Sequence, residues 1–255
     1  MSLHVDDLGG AGSPLLFIHG WGMHGGMWGE APAMLAENRR VLSVDLPGHG
    51  YSRNATGGGL DEIVELLTKT FSEPLDVCGW SLGGQIALRW AELCPSRVKK
   101  LILVSSTPCF VQKAGWHGAM APDTLAAFAA ALQNDYAATL RRFLALQVRG
   151  AEDERGQLLQ LRQSLQSRGE PDIESLRSSL GILRDTDLRA ALPELPQPTL
   201  VVAGARDTLT PLAASEYIAS LMLHASLVRI GGAAHAPFLS HRGEFVKHLA
   251  DFLHE

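Results

Sequence analysis

Cysteine is scarce in this chain of 255 residues: only Cys78, Cys94 and Cys109 occur. Their spacing fits no zinc-ligand pattern. One pair could form, but an odd count favours reduced thiols over a disulfide framework. No run approaches the ~18 consecutive apolar residues of a membrane span. No block of lysine and arginine occurs, and the formal net charge is -5. Phosphate neutralisation needs a clustered basic surface, so nucleic acid is excluded as a partner. The opening MSLHVDDLGG has neither the basic start nor the apolar run of a secretory signal. These absences predict a cytoplasmic protein that does not enter membranes. Cofactor motifs are missing too. There is no G-x-x-x-x-G-K-[ST] and no H-E-x-x-H, and the glycines at 9–12 precede a strand pattern instead of following one. No cofactor and no metal are expected.

What is present is an ordinary globular composition, 46% apolar and 19% charged. Short apolar runs alternate with helical patterns. PLLFIHG (14–20), RVLSVDLPGHG (40–50), LDVCGWS (75–81), VKKLILVSS (98–106), PTLVVAGARD (198–207) and SLVRIGGAAH (226–235) read as strands. Segments 28–38, 60–72, 82–93, 211–223 and 243–253 read as helices. Strands that are apolar on both faces and joined by helices predict an α/β protein with a mostly parallel sheet. Residues 108–195 break the alternation. They are rich in Leu, Ala, Gln and Arg, and Leu140, Phe143, Leu144 and Gln147 share a helix-like spacing. The expected architecture is a core of 1–107 and 196–255, with 108–195 inserted as a helical cap or a small separate domain.

GWSLG (79–83) matches G-x-S-x-G at the point where a strand turns into a helix. Such a turn forces the serine into a strained backbone and lifts its hydroxyl above the sheet, as in the α/β-hydrolase fold. Gly79 and Gly83 give the room that the turn needs. Serine alone is a poor nucleophile and needs a base. In this fold the order is serine, acid, histidine. Asp207 and His235 each follow a strand, at the same sheet edge as Ser81, so these three form the predicted catalytic triad. The rival Asp45 precedes the serine, the wrong order. His241, His248 and His254 fall on or near the last helix, His19 and His49 sit in turns as loop-holding groups, and His24 could line the entrance. The oxyanion hole is expected to use the backbone N–H of Leu82 and of Trp21, the latter from the loop HGWG (19–22). A packed core indole is the plainer reading of Trp21, and a structural thiol that of Cys109.

HGWGMHGGMW, VDLPGHGYS, GWSLGG, SSTPCF, RRFLALQ and AAHAPFLSH together make the chain resemble the pimeloyl-[acyl-carrier protein] methyl ester esterases of biotin synthesis, over nearly its whole length. The hydrolase motifs are shared by many esterases. Trp80, SSTPCF and FLALQ are the more specific pieces. The resemblance implies an α/β-hydrolase with a helical cap. It also implies a cytoplasmic, monomeric carboxylesterase that demethylates a pimeloyl chain borne on acyl carrier protein. Carried over residue by residue, it gives Ser81, Asp207 and His235 as catalytic. It makes Trp21, Ser81, Leu82, Phe143, Leu144, Ala145, Leu146, Gln147 and His235 substrate-binding. A long acyl chain suits an apolar tunnel under a cap. Carrier proteins are acidic, and residues 141–168 hold six arginines against three acids. Arg142 and Arg155 are the chosen docking residues. A solvated helix face with internal ion pairs is the ordinary alternative.

Two other functions are compatible with parts of the pattern. One is a general short-chain carboxylesterase or a C–C bond hydrolase of the same fold, which would share the triad. The other is a ligand-binding receptor on a hydrolase fold, which the intact serine, aspartate and histidine oppose. Dehalogenases and epoxide hydrolases place aspartate where Ser81 stands, and are disfavoured.

Overall fold

Runs of Val, Leu and Ile form seven strands in the computed structural model, which describes residues 2–55 and 57–254. They are β1 (Val5–Asp7), β2 (Leu15–Ile18), β3 (Val41–Val44), β4 (Leu75–Trp80), β5 (Val98–Val104), β6 (Thr199–Gly204) and β7 (Ala225–Ile230). The order across the sheet is β1-β3-β2-β4-β5-β6-β7; β1 pairs antiparallel with β3 and every other pair is parallel. The central strands are buried along their length, because helices cover both faces of a parallel sheet. The helices of the chain are α1 (Ala31–Ala36), α2 (Leu60–Thr70), α3 (Leu82–Leu93), α4 (Pro122–Asn134), α5 (Tyr136–Val148), α6 (Glu154–Gln166), α7 (Ile173–Asp185), α8 (Leu212–Leu221), α9 (Pro237–Ser240) and α10 (Arg242–His254).

Two features depart from the sequence reading. The edge strand β1 was not predicted. It is three residues long and carries two aspartates, too short for a periodic signal and suitably charged for an exposed edge. The helix expected over 28–38 is broken. A 3-10 turn, Gly25–Trp28, ends at Gly29 with φ 62°, and α1 starts afresh with Pro32 in its first turn.

The strand order places the site. From β2 the chain passes to β3 on one side, while β4 lies on the other side of β2. The loops leaving β2 and β4 therefore diverge at a topological switch point, and a crevice opens at the carboxyl ends of these strands.

Between β5 and β6 come α4 to α7. Each begins on its own local signal: Pro122 opens α4, and Asp135, Asp153 and Asp172 accept backbone N–H groups at the starts of α5, α6 and α7. An aspartate cap of this kind contributes about 1 kcal/mol. The Leu188 N–H donates to the Pro108 carbonyl at 2.9 Å and closes the neck of the insertion. These helices lie over the carboxyl edge of the sheet. The Trp21 indole N–H donates to Leu176 O at 3.0 Å, and the His235 N–H donates to Gln147 O at 3.1 Å. A single contiguous apolar cluster runs from the sheet residues Phe17 and Val77 to Leu140, Leu161 and Leu180 of the inserted helices.

Candidate active site

Ser81 is the single residue between β4 and α3, with φ 57° and ψ −116°. A non-glycine residue there is strained and persists only where its surroundings hold it. Its N–H donates to Val104 O at 2.9 Å, and its carbonyl accepts from Gly84 N–H at 3.0 Å and from Ser106 Oγ at 2.8 Å. A Cβ on Gly79 would overlap the Gly83 carbonyl, and one on Gly83 would overlap the Ile18 carbonyl. Both glycines are thus required by close approach, as the motif implied.

Asp207 follows β6 and His235 follows β7. The two side chains are 1% exposed and meet with Nδ1 and Oδ2 at 2.7 Å. Since an ionised carboxylate only accepts, Nδ1 carries the proton and Nε2 is left with a lone pair. Burial alone would raise the Asp207 carboxyl. The imidazole, together with the hydroxyl and amide of Thr210, outweighs burial and holds the carboxyl below its ordinary value. Backbone contacts fix the histidine from two directions. Gln147 O takes its N–H from above, and the Trp80 indole N–H donates to its carbonyl at 2.8 Å from within the core. Among the described residues the Ser81 hydroxyl has no hydrogen-bond partner. In unliganded sites the bond from nucleophile to base is commonly loose and tightens around substrate.

The loop 19–22 runs beside the serine: a Cβ on Gly20 would lie 3.3 Å from that of Ser81. His19 holds this loop. Its Nδ1–H donates to Gly20 O at 2.8 Å, and its Nε2 accepts from Leu46 N–H at 2.9 Å. Burial pushes its pKa well below the usual imidazole value, so it stays neutral and keeps both bonds. The N–H groups of Trp21 and Leu82 have no acceptor among the described residues. Leu82 opens α3, and first-turn N–H groups have no intrahelical partner. Two unpaired donors, one on each side of the crevice, can receive an oxygen that becomes negative during reaction.

Beside the Trp21 ring is a small cavity of about 70 Å³ whose wall includes Trp21, Phe110, Phe128, Phe143, Leu146 and Leu209. The Trp21 ring meets Phe143 edge-on at 4.8 Å and Phe128 at 5.4 Å. Not all of the segment 143–147 faces this space. Leu144 is buried on the other side of α5, in a groove shared with Leu165 and Arg162 of α6, and Ala145 is exposed. Helical periodicity explains the division: five consecutive residues wind more than once around the axis. Gln147 meets the histidine loop through its carbonyl.

The arginines divide. Arg141, Arg142, Arg149, Arg155 and Arg162 are exposed, and among the described residues none has an ion-pair partner. Arg168 is different. Its Nη1 donates to both oxygens of the fully buried Asp45 at 3.1 Å, and its Nη2 to Asp6 at 2.5 Å. It belongs to the junction with the sheet, not to a basic face. Asp45 also accepts from Gly25 N–H at 2.6 Å and Tyr51 N–H at 2.8 Å. His24 is not at the entrance. It is buried, with its Nε2–H donating to Ser164 O at 2.9 Å. Sequence reasoning missed the donors behind the triad: Ser106, Trp80 and Thr210. Only Thr210 carried a local signal, a hydroxyl residue three positions after an aspartate, where side chains bond within a turn. All three cysteines are free; Cys78 and Cys109 are buried.

The sequence model of the alpha/beta hydrolase fold family matches residues 13–242. Among relatives, a protein from Nitrosomonas europaea named pimeloyl-[acyl-carrier protein] methyl ester esterase is 42% identical over 96% of this chain and 97% of its own length. Another of the same name, from Chromobacterium violaceum, is 41% identical over 99% and 98%. Among solved structures, an esterase from Exiguobacterium antarcticum superposes with a TM-score of 0.88 at 25% identity, covering 99% of this chain and 96% of that one.

Proposed function

The chain belongs to the alpha/beta hydrolase fold family, among the pimeloyl-[acyl-carrier protein] methyl ester esterases, and from that premise we propose how it works. It is a carboxylic ester hydrolase that converts pimeloyl-[acyl-carrier protein] methyl ester and water to pimeloyl-[acyl-carrier protein] and methanol in biotin synthesis. In our reading Ser81 Oγ attacks the methyl ester carbonyl while His235 Nε2 takes its proton. The carbonyl oxygen turns toward the N–H groups of Trp21 and Leu82. The tetrahedral centre collapses, His235 protonates the departing methoxide, and methanol leaves a pimeloyl ester on Ser81. Water then attacks the same carbonyl with His235 as base, and the carboxylate is released. Asp207 keeps the imidazole in the tautomer that this requires.

The observation that carries the reading is the Asp207–His235 pair, 2.7 Å apart and sealed from solvent, on the edge that presents Ser81. The apolar wall formed by Trp21, Phe143 and Leu146 supports a methylene chain as the bound group. Residues 108–195 act as the cap, and Leu144 and Ala145 contribute only through the helix that carries them. Arg142 and Arg155 receive the acidic carrier protein; their exposure and their lack of ion pairs favour this over a face of internal salt bridges. We also place the protein in the cytoplasm as a monomer. Among the described residues no helix is long and apolar enough to cross a membrane.

The test is to give the purified protein the carrier-bound methyl ester and p-nitrophenyl acetate side by side. Mass spectrometry of the carrier should show loss of the methyl group, with kcat/KM well above that for the small ester. Comparable efficiency on both substrates would favour a general esterase.

A further inference from the structure

Each member of the triad is held by one buried side-chain donor from outside it: Ser106 for the Ser81 carbonyl, Trp80 for the His235 carbonyl and Thr210 for the Asp207 carboxylate. Of these only Thr210 reaches a side-chain atom that takes part in the relay. Its Oγ1 donates to Asp207 Oδ2 at 2.7 Å and lies 3.3 Å from His235 Nδ1. Oδ2 and Nδ1 are themselves 2.7 Å apart, so the three atoms form a closed triangle. The other carboxylate oxygen, Oδ1, accepts from the N–H groups of Leu209 at 2.8 Å and Thr210 at 3.0 Å. Four donors therefore occupy the roughly four lone-pair sites of one carboxylate.

We propose that Thr210 is a positioning residue for the esterase reaction, whose hydroxyl fixes the Asp207 carboxylate and through it the rotation of the His235 imidazole. The inference rests on the triad reading given above. Two consequences follow from the triangle. First, the hydroxyl spends its single proton on Oδ2 and turns a lone pair toward Nδ1–H. The ring is thus confined between two acceptors and cannot swing away from Ser81. Second, a carboxylate that already accepts a hydroxyl proton at Oδ2 is a weaker acceptor for Nδ1–H. The length and direction of the Nδ1–H bond, and so the orientation of the ring toward Ser81, are thereby set by Asp207 and Thr210 together. The groups facing the ring are Asp207 and Thr210 after β6, Trp80 of β4 and the Gln147 backbone of α5; Asp207 is the charged one among them.

Thr210→Val keeps the shape and removes the hydroxyl, while Thr210→Ser keeps the hydroxyl and removes the methyl group. Rates are measured per site titrated with a fluorophosphonate at Ser81, so that partial unfolding does not enter. For the valine variant kcat should fall about tenfold with KM little changed, far short of the ~10⁴ expected when a triad aspartate is replaced. Serine should restore kcat. Unchanged kcat in the valine variant would overturn the proposal, as would a serine variant that falls as far as valine. If the valine variant gives no folded protein, the serine variant decides alone through the downfield Nδ1 proton in its NMR spectrum, kept at the wild-type position if the hydroxyl is the active feature and moved if it is not. Ser81→Ala run in parallel separates the two levels: retained turnover there would reject the triad itself, whatever Thr210 does.

Discussion

The sheet edge and the helices above it are built on opposite principles. Around Ser81, Asp207 and His235 the Ser81 and His235 backbone groups and the Asp207 carboxylate are tied to named partners by hydrogen bonds of 2.7–3.1 Å. Of the inserted helices, α5 meets the site mainly with Phe143 and Leu146, and its polar contribution is one backbone carbonyl. The insertion's own polar groups are spent at its margins. Arg168 and the Ser164 carbonyl bind the sheet side, and the five arginines between 141 and 162 face solvent. Chemistry that needs fixed dipoles sits on the rigid element. On the proposed function, recognition of a flexible acyl chain falls to that apolar surface. Damage to the two regions should therefore be distinguishable by which substrate notices it.

The largest effect is expected at the edge. Ser81→Ala should lower kcat by at least ~10⁴ on carrier-bound and small esters alike, with an unchanged thermal midpoint. A loss confined to one substrate would blur the division. Next comes the junction. Arg168→Met strands the buried Asp45 carboxylate, and breaking such a pair costs about 3–5 kcal/mol. Chemical denaturation should show that loss, whereas a surface pair would give under ~1 kcal/mol.

The same junction holds three buried histidines. Burial lowers His19, His24 and His49 below the usual 6.5, His49 to about 4. The unfolded chain then binds more protons than the fold between these values. Unfolding free energy should therefore rise with pH across that window and fall as pH drops from 6.5 toward 4. His49 alone would account for up to about 3 kcal/mol. A flat stability profile from pH 7 to 4.5 would contradict this picture of the junction. The smallest effect belongs to the outer face. Replacing Arg142 and Arg155 with alanine should raise KM for the carrier-bound ester several-fold, less at high salt, and leave p-nitrophenyl acetate untouched. Equal changes on both would move these arginines out of recognition.

Much of the fold was legible because it rests on local signals. The strand-turn-helix around Ser81 needs its glycines within two residues, and each central strand announces itself as a short apolar run bounded by turns. The chain order of serine, aspartate and histidine was enough to single out Asp207 and His235 from many acids and ten histidines. What escaped was set by contacts between distant positions. Arg168 looks like its neighbours in a basic run, and only packing against Asp45, 123 residues away, takes it out of solvent. The Trp80 indole bond to His235 spans 155 residues. Leu144 and Ala145 followed Phe143 in a continuous motif, yet a helix sends adjacent side chains in different directions. Thr210 was within reach, three residues from the aspartate, had the turn been read for its side-chain bonds.

One experiment addresses the central claim without intermediaries. The protein is mixed with methyl pimeloyl carrier protein, the reaction is stopped in acid within a single turnover, and the peptides are mapped by mass spectrometry. A transient ester joining the carrier-borne pimeloyl group to Ser81 Oγ, formed as methanol is released and decaying to free pimeloyl carrier, is the predicted result. Methanol released with no adduct at residue 81, or with an adduct on another side chain, would contradict the account.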